Sequence, residues 1–234
     1  MKEKNLLLSA TVLALGMVIM GLSIRSGIVR FKTLDRHITV KGLSEREVPA
    51  NKVTWPLLYK ELGNDPSAMY ELIGQKNQKV VNFLKAAGLT DDEISVNPPT
   101  ISDRQADNYG NEIMNYRYKA TCVITVVSSN VDKVRQLMRR QSELMKQGIA
   151  LVGGDYDNSV TYDFTGLTEI KPEMVKEAMA NALATAEQFA KDANAKIDGV
   201  ITAQQGQFSI DDRDGNTPYI KRIRVVNTVE YAIK

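Results

Sequence analysis

The chain has one cysteine, one histidine and one tryptophan among 234 residues. A single cysteine excludes an internal disulfide, a CxxC redox pair and any multi-cysteine zinc site. A single histidine excludes HExxH and every multi-histidine metal centre. Neither G-x-G-x-x-G nor G-x-x-x-x-G-K occurs, so neither phosphate-binding loop is present. No G-x-S-x-G and no S-x-x-K supplies a serine nucleophile. Strong charge of one sign is also missing, the net being +2. What remains is an ordinary globular balance, 43 % apolar and 25 % charged, in a length that suits one or two domains.

The charge is unevenly placed. Residues 1–36 hold six basic side chains (Lys2, Lys4, Arg25, Arg30, Lys32, Arg36) against Glu3 and Asp35. Residues 37–234 carry a net of −2, without the basic excess that phosphate recognition demands, so nucleic acid is not an expected partner. Within 1–36 lies Leu6–Ile24, an uncharged run bounded by Lys4 and Arg25. At ~1.5 Å per residue its length is close to a hydrocarbon core. Length favours an uncleaved single-span anchor. A cleaved secretory signal stays open, with Gly21-Leu22-Ser23 as the small-residue site, although no A-x-A comes after the core. A buried soluble helix is the third reading. The basic residues after the run argue weakly against export of the C-terminal side. Export is still the expectation, because extreme N-terminal segments of this kind act as signals. The division is an anchor or signal with basic linker, 1–36, and a folded domain, 37–234.

From His37 onward, strand-like and helix-like stretches alternate. Ile38-Thr39-Val40 opens a strand that reaches Gly42, and Val53–Leu62 reads as another, with Pro56 marking an edge or a bulge. Asp65-Pro66 predicts a helix start. Met69, Leu72, Ile73, Val80, Phe83, Leu84 and Ala87 predict its buried stripe, and Gly88 its end. Tyr116–Val127 alternates, with Tyr116, Tyr118, Ala120, Cys122, Ile124 and Val126 on one face. Asn130 caps a helix that runs to Gly148, with Val131, Val134, Leu137, Met138, Leu144 and Met145 on its buried side. Strands come next across Ile149–Phe164, broken at Gly153-Gly154. An alanine-rich helix spans Pro172–Ala195, striped by Val175, Ala178, Met179, Ala182, Ala186, Phe189, Ala190 and Ala193. Gly199–Ile210 and Tyr219–Ile233 close the chain as strands around a turn at Asp214-Gly215. Paired strands between helices predict an α+β fold, a largely antiparallel sheet with helices on one face. The order also reads as two strand–helix–strand–strand units, roughly 37–127 and 116–233, without a residue-level repeat.

The residue types that carry chemistry have plain readings. His37 stands at a strand entrance with no nucleophile motif to serve. Cys122 lies in an apolar phase, as a packed small hydrophobe would. Ser142 and Lys146 share a helix face at a spacing common by chance. Asp211-Asp212-Arg213-Asp214-Gly215 fails as a calcium loop: aligning Gly215 puts Ile210 and Lys221 at ligand positions. Asp155, Asp157 and Asp163 form a looser acidic group. Lys133, Arg135, Arg139, Arg140 and Lys146 make a basic helix side, either a solvated face or a surface for an acidic partner. No catalytic, cofactor-binding or metal-ligating residue is nominated, and no cofactor.

Several segments resemble the SIMPL-domain proteins: ITVKGLSEREVP (38–49), YRYKATCVITV (116–126), Gln147-Gly148-Ile149, AMANALATAEQFAKDANAKIDGV (178–200) and QGQFSIDDRDGNTPYIKRIRVVNTVEY (205–231). The similarity spans about 37–233 and is nearest to the bacterial membrane-anchored or periplasmic branch. Two places depart from the family pattern: Gly42-Leu43-Ser44 stands for G-x-G, and Pro49-Ala50 for P-D. The resemblance implies no catalytic residue or cofactor. It does imply an envelope location, self-association and a link to oxidative-stress tolerance. The expectation is a non-enzymatic cell-envelope protein at the bacterial inner membrane. It would be a single-pass anchor with a periplasmic domain, or periplasmic after cleavage. It would work by homo-oligomerisation or by binding an envelope protein. A hydrolase or transferase built on the carboxylates and serines is one alternative. A small-ligand or lipid carrier is the other.

Overall fold

A computed structural model describes residues 13–28, 36–106, 115–153 and 158–234. The chain forms two compact units. The central unit comprises Glu47–Glu169 and Ile210–Ile223. The terminal unit draws on the chain up to Arg46, on Ile170–Ser209 and on Arg224–Lys234. The alternation that predicted one sheet makes two.

In the central unit, β2 (Lys52–Gly63) and β5 (Tyr118–Ser128) pair antiparallel from Val53↔Ser128 to Gly63↔Tyr118. The short strands β3 (Ile94–Val96) and β4 (Thr100–Asp103) pair with β5, and β6 (Thr161–Asp163) pairs with β2. Alternation sets the core: Val53, Trp55, Leu57 and Tyr59 from β2 and Ala120, Cys122, Ile124 and Val126 from β5 are all buried. Pro56 lies opposite Thr125 on β5. Pairing with β6 stops at Thr54, and the next bridge on that side joins Tyr59 to Leu151. Pro56 thus occupies a locally open edge, where a missing N–H costs least.

Helix α2 (Pro66–Ala86) starts where Asp65 Oδ1 accepts from the N–H groups of Ser67 and Ala68 at 2.9 and 3.4 Å. Gly88, at φ +85°, ends it in a conformation that costs glycine little. Met69, Ile73, Val80, Phe83 and Leu84 bury as the spacing predicts, whereas Leu72 is 41 % exposed. Each large side chain buried here contributes about 1.5–3 kcal/mol. The helix expected from Asn130 to Gly148 is two helices, α3 (Val131–Arg139) and α4 (Ser142–Lys146). Bonds from Arg140 N–H to Leu137 O and from Gln141 N–H to Met138 O tighten the break. The turn redirects α4, so Leu144 stays buried and Met145 is 62 % exposed.

In the terminal unit, β9 (Ile220–Ile233) lies between β1 (His37–Pro49) and β7 (Ile197–Gln204). β8 (Ser209–Asp212) also pairs with β9. The unit boundary falls inside β1, β8 and β9, with Ile210–Asp212 of β8 in the central unit, and inside the first turn of the helix Leu167–Asp192. Gly199–Ile210 is therefore two strands rather than one. Helix α5 (Leu167–Asp192) begins five residues before the expected start, with Pro172 inside it. The proline removes one intrahelical bond, to Thr168 O, near the N-terminus. The buried residues are Met174, Ala178, Ala182, Ala186 and Ala190, a strict four-residue ridge. Phe189, placed in the stripe by its spacing, is 59 % exposed. The alanines let the helix backbone come close to β1. A Cβ on Gly42 would stand 1.9 Å from Ala178 O and 2.6 Å from Ala182 N.

Residues 13–28 form α1. At ~1.5 Å per residue the described part is roughly 24 Å long. Among the described residues, no helix is both long and apolar enough to cross a membrane. The remainder of the Leu6–Ile24 run, residues 6–12, lies outside the described residues.

Candidate functional site

Several of the chemistry-bearing side chains are engaged in structural contacts. His37 Nε2 lies 3.2 Å from Glu230 Oε1, and Thr202 Oγ1 donates to Glu230 Oε2 at 3.2 Å. Activating a hydroxyl needs the imidazole between carboxylate and nucleophile. Here the carboxylate is in the middle. Cys122 is buried beside Tyr59, and burial pushes its thiol up, away from the reactive thiolate. Burial also raises the Tyr59 phenol, whose hydroxyl donates to Asn77 Oδ1 at 2.7 Å. Ser142 and Lys146 stand exposed at opposite ends of α4.

The acidic loop is a built turn. Asp214 accepts from the N–H groups of Asn216 and Thr217, both at 2.8 Å, and from Arg213 Nε at 3.2 Å. With the Thr217 hydroxyl foremost, these donors hold its carboxyl down at about 2. Asp212 pairs with the buried Lys221, and Asp211 is exposed on β8. Asp163 is exposed on β6, while Asp155, Asp157 and Gly154 lie outside the described residues. Among the described residues, no three His, Cys, Asp or Glu side chains gather as a metal would need.

Three members of the basic helix side are engaged within the central unit. Lys133 Nζ donates to Gly88 O at 2.8 Å, beyond the C-terminus of α2 where a cation is favoured. The Arg135 guanidinium lies 3.4 Å from the centroid of the Tyr219 ring and pairs with Asp132 at 3.3 Å. Arg140 grips Glu143 through two bonds of 2.8 and 3.0 Å.

Sequence reading missed a polar seam in the terminal unit. Ser44 Oγ, buried on β1, donates to Glu177 Oε2 of α5 at 2.9 Å. Arg46 reaches Glu173 at 2.9 Å and Glu177 at 3.4 Å. Asn181 Nδ2 donates to Leu43 O at 2.7 Å. Buried Asn227 on β9 points Nδ2 at Val175 O, 3.5 Å away, and its Oδ1 has no partner among the described residues. The available signal was phase: Ser44, Lys221 and Asn227 occupy the apolar register of their strands.

Two surfaces of the terminal unit are left bare. On α1, Leu13, Leu15, Met17, Val18, Ile19, Met20, Leu22, Ile24 and Ile28 are all 54–65 % exposed. These residues point in every direction around the helix, so no polar face exists to meet water. On β7, Asp198–Gln204 are exposed, and Val200 and Ile201, where the pairing with β9 shifts register, are 54 % and 52 % exposed. Among the described residues β7 pairs with β9 on one side only, which leaves its outer backbone edge open. Beside it, Met179 and Leu183 of α5 join Val200 and Tyr231 around a cleft of about 440 Å³.

A family model described as SIMPL, a protein of unknown function (DUF541), matches residues 38–228. No curated protein matches the chain.

Proposed function

This chain belongs to the SIMPL family, and from that premise we propose a membrane-tethered envelope protein that works by binding rather than by catalysis. The observation that carries the reading is α1. A helix apolar on every side, with every large side chain bare, is a stable object in lipid and a costly one in water. In the sequence this helix overlaps the uncharged run Leu6–Ile24, which is bounded by Lys4 and Arg25 as a span is by its flanking charges. The folded part then lies on the periplasmic side of a bacterial inner membrane.

Binding is supported by the terminal unit. An open strand edge with the exposed apolar side chains of Val200 and Ile201 suits pairing with a second copy or with another envelope protein. Asp214 is spent in its own turn and Asp212 in its pair with Lys221, which takes two of the loop carboxylates away from acid–base work. Multi-angle light scattering of the full chain in detergent tests the association. The expected result is an oligomer, and Val200→Lys with Ile201→Lys should shift it toward monomer. A monomer at all concentrations, with no envelope protein cross-linked in cells, would refute the binding role.

A further inference from the structure

The central unit carries an uncovered cleft of about 430 Å³ between α2 and the outer strands β3 and β4. Its origin is a mismatch in width. Val96 pairs opposite Ile124 and Ile101 opposite Ala120, so both share the phase of the buried core. Ile124 and Ala120 are fully covered, but Val96 is 47 % exposed and Ile101 42 %. Tyr70, 66 % exposed, lines the cleft from the helix side, and Pro98 and Pro99 line it from the strand side. Two amide side chains in this wall are held: Asn97, whose Nδ2 donates to Thr125 Oγ1 at 3.4 Å, and the better-fixed Asn77. Asn77 lines the cleft, and its Oδ1 is taken by the Tyr59 hydroxyl at 2.7 Å. The same hydroxyl sits 3.3 Å from Ile73 O, which anchors it to α2. The amide NH2 is therefore what Asn77 has to offer a ligand.

None of the residues around this cleft is ionisable except Tyr70. A charged ligand would give up hydration there and gain no counter-charge. We propose that this cleft is a binding site for an uncharged aromatic carbonyl compound. The ring lies between Tyr70 and the core-phase side chains Val96 and Ile101, and the carbonyl oxygen accepts from Asn77 Nδ2. A few fixed polar groups in an apolar wall are how small-molecule sites set orientation. The inference stands apart from the membrane and association reading, since every residue it uses belongs to the central unit.

Photolabelling of the full chain in lipid nanodiscs tests it with two probes of equal photochemistry. Benzophenone is neutral and carries one carbonyl; 4-benzoylbenzoate adds a carboxylate. Peptide mass spectrometry should place benzophenone adducts on 70–77 and 96–101. The anionic probe should label those segments about tenfold less, the size expected when a charge is desolvated unpaired. Asn77→Leu should lower benzophenone labelling there about three- to tenfold, the worth of one hydrogen bond. Tyr70→Ala, at an exposed position that cannot unfold the core, should lower it as well. Equal labelling by the two probes, adducts with no preference for these segments, or labelling indifferent to both substitutions would overturn the site.

Discussion

The two units solve the same packing problem with opposite materials. In the central unit, large side chains fill the space between sheet and helices: Trp55, Leu57, Tyr59, Phe83, Leu84 and Ile124 are each at most 8 % exposed. In the terminal unit, α5 turns four alanines and one methionine toward its sheet, and Gly42 receives the helix backbone directly. One core is built from side-chain volume and the other from backbone proximity. The first is therefore damaged by removing atoms and the second by adding them.

Gly42→Val should have the largest effect. Its branched side chain would occupy space already held by Ala178 and Ala182. A loss of more than about 3 kcal/mol is expected, seen as early unfolding and as fast hydrogen exchange in α5 and β1. Mild behaviour of this variant would break the contrast. Next is Leu84→Ala in the central unit, fully buried, which should cost about 2–5 kcal/mol through a cavity. Urea denaturation measures it. Arg135→Ala removes the stack on Tyr219 and should cost about 1 kcal/mol, while Met145→Ala, exposed on α4, should change stability by less than about 0.5 kcal/mol.

Acid should separate the units last and least. Asp214, Asp103 and Glu93 all belong to the central unit and are held below their ordinary range, chiefly by Thr217, Arg117 and Ser128 respectively. A carboxyl whose folded pKa is depressed stabilises fully above its unfolded pKa and loses that contribution as pH falls through the folded one. Stability should thus decline from about pH 4.5 downward, with the Asp214 contribution persisting to about 2. Asp214→Asn should flatten that limb. Region-resolved hydrogen exchange between pH 5 and 2.5 should show the loss in β4 and the 211–217 turn before α5.

Much of the fold was legible because its signals are local. The Asp65 cap, Gly88 and the alternation of β5 each report on neighbours a few residues away. The division into two sheets was not legible. β1 and β9 meet from opposite ends of the chain, and no periodicity within either strand names its partner. The polar seam was hidden for the same reason: Arg46 and Glu173 lie 127 residues apart. Helix 131–148 hid its break because apolar spacing survives a tight turn, so Met145 kept its phase and lost its burial. The bare α2 cleft depends on how far a helix reaches across a sheet, which spacing along one strand does not encode.

The tether is tested most directly by alkaline carbonate extraction of membranes from cells that make the native chain. The account predicts that the polypeptide stays with the membrane pellet, and that a version lacking residues 6–24 does not. Recovery of the full-length native chain in the carbonate supernatant would contradict it.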